Sequence, residues 1–254
     1  MILIDTHCHL YVDEFKNDVA EVLQRAQSLG VSKFYLPAID KSETENMLQL
    51  EAAFPDNCIA MMGLHPCSVK ENYKEELQWV SDWLNKRKFA AVGEIGLDFY
   101  WDKTFVKEQY EAFEWQTQWA LDKQLPIVIH TRNAMKETID TVKPFAEKGL
   151  RGIFHCFSGN ENEANQIIDM GFYLGIGGVL TYKNAGLDKV MANIDMQYVV
   201  LETDAPYLTP VPFRGKRNES SYIKYVAEKL AVIKNMSVEE IAHITTANAE
   251  KIFA

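Results

Sequence analysis

Short runs of aliphatic and β-branched residues alternate with longer amphipathic stretches along the chain, and this alternation limits the possible folds more than any other feature. The eight runs predicted as strands are residues 2–7, 33–39, 59–64, 90–95, 126–130, 152–155, 172–176 and 198–201. Strands that alternate with helices form βαβ units with parallel strands. Eight such units in 254 residues have the size of one closed barrel. We therefore predict an α/β fold, a single (β/α)8 TIM barrel over residues 1–254. A doubly wound open sheet is the alternative, and the absence of GxGxxG after any predicted strand disfavours it.

The stretches between the predicted strands carry the helical pattern. Apolar residues at i, i+3, i+4 and i+7 mark one stripe over residues 19–26, and the same spacing recurs over residues 77–84. Residues 105–123 form the longest such stretch, and Gly30 and Gly149 are placed to end helices. A proline-containing loop follows the eighth strand, and we expect two helices after it.

The charge of the chain restricts its partners. The formal net charge is −10, whereas proteins that coat duplex DNA normally carry a basic face. This charge disfavours a general DNA-binding scaffold but permits a nuclease that grips one phosphate or one strand end. No apolar run approaches the roughly 20 residues that span a bilayer. The opening segment MILIDTHCHL lacks the basic region of a signal peptide, so we expect a cytoplasmic protein without membrane association. Nothing in the sequence predicts an obligate protein partner.

Histidines concentrate at the ends of the predicted strands. Five of the six histidines end a strand or follow one closely, and these are His7, His9, His65, His130 and His155. The carboxyl ends of barrel strands converge on one face, where TIM-barrel enzymes hold their active sites. The four cysteines form no CxxC pair, which disfavours a structural zinc site. The histidines therefore predict a functional site at the barrel mouth.

The spacing of these residues predicts metal binding. His7 and His9 share one orientation because side chains alternate along a strand, so both can bind one ion. Glu94 has two carboxylate oxygens that can bridge two ions, and no lysine in its strand could neutralise it. With Glu94, His130 and His155 can complete a second site. Either histidine alone could be a core residue satisfied by hydrogen bonds, and Glu94 could be structural.

Asp204, at the end of the eighth strand, is suited to two roles. It can coordinate the first ion, and it can accept a proton from the attacking water. Glu202 lies deeper with the same orientation, so we expect it to support the ligands. Two divalent ions are predicted, and these ligands fit zinc, manganese, nickel, iron or magnesium without distinguishing them. The predicted catalytic residues are Asp204, Glu94 and His65.

Donor groups near the same face are expected to bind substrate. His65, Arg132, Arg214 and Arg217 are the predicted substrate-binding residues. The planar guanidinium group matches the oxygens of a phosphate. For Arg217 taken alone, an ordinary solvated surface charge is the alternative.

These motifs resemble those of the TatD-type metal-dependent DNases, a branch of the amidohydrolase-like barrels. The matching segments, in order, are DTHCHL at 5–10, GLHP at 63–66, GEIGLD at 93–98, PIVIHTR at 126–132, FHCFSG at 154–159, IGG at 176–178, ETDAPYL at 202–208 and RGKRNE at 214–219. The resemblance implies one metal on His7, His9, Glu94 and Asp204, and the other on Glu94, His130 and His155. It also implies 3′-to-5′ exonuclease action on DNA. Because the cations are few and local, we expect single strands or frayed 3′ ends as substrates.

Two other functions compete with this interpretation. The first is a metal-dependent amidase or aminoacyl-tRNA esterase of the same barrel class. Such relatives often bridge their metals with a carboxylated lysine, and Glu94 in that place favours the phosphoesterase branch. The second is a non-enzymatic metal-binding protein, which an open position facing substrate-binding residues disfavours.

Overall fold

Eight parallel strands form the centre of the protein, whose computed structural model describes residues 1–254. In chain order the strands are β1 Leu3–Asp5, β2 Val31–Leu36, β3 Cys58–Ala60, β4 Val92–Asp98, β5 Ile127–Arg132, β6 Gly152–Phe154, β7 Tyr173–Ile176 and β8 Val199–Leu201. Strands β1 to β3 pair in sequence order, and so do β4 to β8. All of these pairs are parallel, as the βαβ pattern predicts.

Backbone hydrogen bonds join the two groups of strands into a ring. Beside β3, Met62 forms a parallel bridge with Val92 of β4, and the Gly93 N–H donates to the Met62 carbonyl at 3.0 Å. On the other side, the Thr6 N–H donates to the Leu201 carbonyl of β8 at 3.1 Å. The predicted (β/α)8 barrel is confirmed.

Nine α-helices surround the strands. They are α1 Val19–Ser28, α2 Lys41–Ala53, α3 Tyr73–Lys86, α4 Val106–Lys123, α5 Met135–Ala146, α6 Glu161–Asp169, α7 Leu187–Asn193, α8 Ile223–Lys234 and α9 Val238–Ile252. The apolar stripes predicted over residues 19–26 and 77–84 lie in α1 and α3, and most of their residues are buried. None of the helices has both the length and the apolar character needed to cross a bilayer.

The interior of the barrel contains two kinds of layer. In one layer, each strand or its immediate flank contributes one buried side chain: Ile4, Tyr35, Met61, Ala91, Val128, Ile153, Tyr173 and Val200. The end of α9 covers this layer, with Phe253 stacked on Tyr35 at 3.8 Å. Polar residues occupy the layer toward the carboxyl ends, so the functional site has a closed apolar floor.

Several strands end at different residues from those predicted. β1 stops at Asp5 because the chain beyond it bonds to the loop after β8: the Asp204 N–H donates to the His7 carbonyl, and the His9 N–H donates to the Ala205 carbonyl. β2 begins at Val31 and ends at Leu36, earlier than predicted at both ends. β4 instead runs on to Asp98, because it stays paired with β5 as far as Arg132. Most of the site histidines therefore stand in loops just beyond the strands.

Candidate metal centre

The strands and the loops at the carboxyl face bring the predicted metal ligands, His65 and Arg132 together. A cavity of about 680 Å³ opens at this mouth, and its lining includes His9, His65, Glu94, His130, His155 and Asp204. His7 lies beneath it, fully buried. The residues come from six different strands or the loops that follow them, as convergence of the barrel strands requires.

His7, His9 and Glu94 form one group of three close ligand atoms, and Asp204 lies beside its two histidines. The Nε2 atoms of His7 and His9 are 3.3 Å apart, and Glu94 Oε2 lies 3.1 Å from the first and 3.5 Å from the second. Asp204 Oδ1 lies 3.7 Å and 3.6 Å from the same two nitrogens. A tetrahedral ion with ligands at about 2.1 Å sets its ligand atoms about 3.4 Å apart. The separations among His7, His9 and Glu94 therefore fit one divalent ion, and Asp204 Oδ1 lies within reach of both histidine nitrogens and also groups with His7 and His155.

The other oxygen of Glu94 faces a second group of nitrogens. Glu94 Oε1 lies 2.9 Å from His130 Nδ1, 3.0 Å from His155 Nε2 and 3.4 Å from His65 Nε2. One carboxylate that directs each oxygen at a separate group of donors has the geometry of a bridging ligand. His65, expected at the substrate, thus lies close to the predicted second-ion ligands as well.

Asp98 supports His130 from behind. Its Oδ2 lies 2.9 Å from His130 Nε2, while its Oδ1 accepts hydrogen bonds from the N–H groups of Tyr100 and Trp101 at 2.9 and 3.0 Å. A carboxylate behind a metal-binding imidazole fixes the ring orientation and tautomer. No role was predicted for Asp98, although it lies within the GEIGLD segment, on the same strand as Glu94 and facing the same cavity. That shared strand was the signal that could have identified it.

Glu202 occupies the deeper position expected for it. Its Oε1 accepts a hydrogen bond from the Cys156 N–H at 2.5 Å and lies 3.3 Å from His155 Nδ1, although that nitrogen is not aligned for a regular hydrogen bond. Its Oε2 is buried without a hydrogen-bond partner. Gly175 leaves room for this carboxylate, because a Cβ there would lie 2.2 Å from Oε2.

Glu94 and the surrounding imidazoles shift one another's pKa values. Burial opposes protonation of His155, but Glu94 and Glu202 outweigh burial and raise the pKa of this histidine well above that of a free imidazole. Burial opposes ionisation of Glu94, but the facing histidines outweigh burial and hold the pKa of this carboxyl well below its usual range. Burial and the neighbouring His155 lower the pKa of His7 well below that of a free imidazole. Burial raises the pKa of Asp204 to about 6. An ionised Glu94 and a neutral His7 are the protonation states in which these groups bind a cation.

The predicted phosphate-binding arginines occupy different surroundings. Arg132 lines the cavity of the metal cluster, and its Cζ lies 3.9 Å from the centre of the Tyr100 ring. Arg214 lies 4.1 Å over the Tyr182 ring and lines a separate cavity of about 560 Å³. The structure thus brings Arg132 to the cluster and leaves Arg214 outside its cavity.

Arg217 is held within the fold, away from the cavity. Its two terminal nitrogens bind the carboxylate of Asp18 at 2.8 and 2.6 Å, and its Cζ lies 4.5 Å over the Phe15 ring. A guanidinium with both arms on one carboxylate has no free fork for a phosphate. The structure gives no support to the predicted phosphate contact by Arg217, because this side chain ties the loop to the start of α1.

The chain is similar over its full length to several known proteins. A metal-dependent hydrolase of Bacillus subtilis, YabD, is 39% identical over 253 residues, which cover 99% of each chain. The 3′-5′ ssDNA/RNA exonuclease TatD of Salmonella typhimurium is 30% identical over 258 aligned positions, covering 99% of this chain and 98% of that protein. The crystal structure of YjjV, a TatD homologue from Escherichia coli, superimposes with a TM-score of 0.93 at 29% identity, covering 99% of this chain and 97% of that chain.

The similarity extends to the level of a protein family. The model for TatD-related DNases matches residues 4–254, which include every residue of the cluster described above. The chain therefore belongs to the family of TatD-related DNases.

Proposed function

We propose that this chain is a metal-dependent phosphodiesterase that removes nucleotides from the 3′ ends of single-stranded DNA. The division of the two Glu94 oxygens between two groups of ligand atoms carries the proposal, because a bridged pair of ions is a common device for phosphoryl transfer. The relatives described as a metal-dependent hydrolase and a 3′-5′ ssDNA/RNA exonuclease support the chemistry and the substrate class.

Six residues would hold the two ions. The first ion would be bound by His7, His9, Glu94 and Asp204, and the second by Glu94, His130 and His155. Such ions lower the pKa of water and neutralise the charge that develops on a phosphoryl group. His65 and Arg132 stand at the same cavity, where they would orient the scissile phosphate and stabilise its oxygens.

Asp204 is the group we propose as proton acceptor. Its side chain is 14% exposed, against 2% for Glu94, and it makes no hydrogen bond within the protein. One oxygen of this carboxylate can therefore face the histidines of the first group while the other contacts the attacking water. The oxygen not directed at the histidines would take the proton of that water as it attacks phosphorus.

Cleavage from an end agrees with the charge distribution. A net charge of −10 provides no long basic track for duplex DNA, whose binding strength grows with the number of phosphates neutralised. A terminal nucleotide can enter a concave cavity, whereas an internal phosphate of a stacked duplex would first have to be bent or unpaired. Single strands and frayed 3′ ends should therefore be better substrates than blunt duplexes.

The test is a time course on one single-stranded oligonucleotide in linear and circular form. Protein stripped with a chelator and reloaded with one ion at a time is compared with the Asp204→Asn variant. We expect nucleotides to be released stepwise from the linear 3′ end only, and only after metal is restored. Equal rates on circular and linear DNA would identify an endonuclease. Hydrolysis of amides or aminoacyl esters without phosphodiester cleavage would instead favour the same-fold amidase or esterase.

A further inference from the structure

Exposed aromatic side chains gather at the mouth of the cavity. Only four aromatic residues are exposed: Tyr100 at 51%, Trp101 at 67%, Trp115 at 42% and Tyr207 at 49%. Trp101 and Tyr207 line the cavity, and Tyr100 adjoins Trp101 with ring centres 4.9 Å apart. Because β4 and β8 lie opposite each other in the ring, Trp101 and Tyr207 stand on opposite sides of the mouth. An exposed indole leaves a large apolar surface in water, which a ligand can cover.

Trp101 is held in place by the metal cluster itself. Its N–H donates to Asp98 Oδ1 at 3.0 Å, and the other oxygen of Asp98 lies 2.9 Å from His130 Nε2. The same carboxylate therefore fixes both a predicted metal ligand and the backbone that carries the indole. An indole carried on this backbone beside the candidate metal centre is placed to contact a nucleotide whose phosphate is bound there.

The guanidinium of Arg132 completes a mixed aromatic and cationic surface. Its Cζ lies 3.9 Å from the Tyr100 ring centre and 5.1 Å from that of Trp101. Arg132 takes part in none of the ion pairs of the protein, whereas Arg217 is paired with Asp18. A planar apolar ring beside an unpaired cation matches a nucleotide, since the base can stack on the ring and the phosphate can bind the guanidinium.

We propose that Trp101, with Arg132 beside it, forms a stacking site for a nucleobase next to the scissile phosphate. This inference rests on the proposed function and adds to it a specificity element for nucleic-acid substrates. A purely apolar partner would make no use of the cation, and a simple phosphoester would make no use of the ring. The site would accept any base, because every base has a face that can stack.

The test separates the base from the phosphodiester bond. Trp101→Ala, Trp101→Phe and the control Trp115→Ala are compared, since Trp115 is exposed on α4 and does not line the cavity. The substrates are linear single-stranded DNA, the same strand with abasic 3′-terminal positions, and bis-p-nitrophenyl phosphate. We expect Trp101→Ala to lower kcat/KM on normal DNA by about tenfold more than on either substrate without bases. Trp101→Phe should restore most of the loss, and Trp115→Ala should match the wild type.

The outcomes also distinguish the stacking site from the proposed function. An equal loss on all three substrates would show that Trp101 acts only through the fold, and no loss on DNA would exclude stacking. If the metal-loaded wild type cleaves none of the phosphodiesters, the proposed function fails. The stacking site is then tested by binding alone. Fluorescence anisotropy measures the affinity of a labelled oligonucleotide for metal-loaded Asp204→Asn and for the same variant carrying Trp101→Ala. Equal affinities would overturn the stacking proposal.

Discussion

The substitution Gly175→Ala adds one methyl group next to Glu202, and we expect it to displace this carboxylate, which lies behind the metal-ligand candidate His155. A Cβ at this position would lie 2.2 Å from Glu202 Oε2 and 3.1 Å from the Cα of His155. Glu202 is fully buried, and its other oxygen accepts a hydrogen bond from the Cys156 N–H at 2.5 Å. To restore ordinary contact, the carboxylate would have to move by roughly 1 Å. That movement would withdraw it from the ring of His155.

The expected effect is larger on metal binding than on folding. The atom in conflict is the end of a side chain, so we expect Gly175→Ala to cost about 1–2 kcal/mol of unfolding free energy, within the usual range for overpacking. Removing a carboxylate behind a metal-binding histidine commonly costs about 10- to 100-fold in metal affinity or activity. We therefore expect a folded variant with a loss of that size in its affinity for metal.

Gly177→Ala is the matched control for this experiment. Gly177 has an extended backbone with φ −121°, and a Cβ there would lie 3.4 Å from the Glu202 carbonyl oxygen, an ordinary contact. For both variants, bound metal should be measured at a series of buffered free-metal concentrations. Their thermal unfolding and their hydrolysis of bis-p-nitrophenyl phosphate should be compared as well. If Gly175→Ala binds metal and turns over as well as Gly177→Ala, Glu202 does not position His155.

Three further predictions concern residues around the cavity and in the outer layer. Asp98→Asn should weaken binding of the second ion by about 10-fold or more, since His130 loses its carboxylate partner, and metal titration would detect it. Arg132→Ala should weaken binding of single-stranded DNA by about tenfold without changing metal content. Arg217→Ala should lower the Tm and leave DNA affinity unchanged. The reverse pattern would contradict the placement of Arg132 at the substrate and of Arg217 in the fold. Burial opposes ionisation of Glu51, but its partner Arg87 outweighs burial and lowers the pKa of Glu51. The ion pair therefore stabilises the fold above the ordinary carboxyl pKa and contributes progressively less below it. The stability difference between wild type and Glu51→Gln should therefore shrink as the pH falls below about 4.5, and a constant difference in denaturant titrations would refute this.

The convergence of the site residues could be predicted because a barrel brings residues at corresponding positions of different strands to the same face. His7, Glu94, His130, His155 and Asp204 lie far apart in the sequence, yet all but Glu94, which lies within β4, stand toward the carboxyl end of a strand or just beyond it. Parallel strands in a closed ring bring such ends to one face. Motif position therefore predicts that the histidines, Glu94 and Asp204 meet, but it does not identify Asp98 and wrongly places Arg214 and Arg217 at the cavity.

The orientation of individual groups could not be predicted in the same way. The start of β4 is irregularly paired with β5 around Glu94, so simple alternation does not show which oxygen faces which imidazole. Arg217 and Asp18 pair across 199 residues, and no local pattern indicates that contact. The ends of the strands also depend on pairing partners, as the extension of β4 to Asp98 shows. These features are set by long-range packing, which sequence spacing does not contain.

We propose that Glu94 bridges two ions that together cleave a phosphodiester bond. To test this, wild type and Glu94→Gln are stripped of metal with a chelator, and metal is added back one equivalent at a time. The hydrolysis rate of bis-p-nitrophenyl phosphate and the amount of bound metal are measured at each step. We expect the wild-type rate to rise until two equivalents are bound, and Glu94→Gln to lose affinity at both sites together with its activity. Full activity at one equivalent, or loss of a single site in Glu94→Gln with the other unchanged, would contradict it.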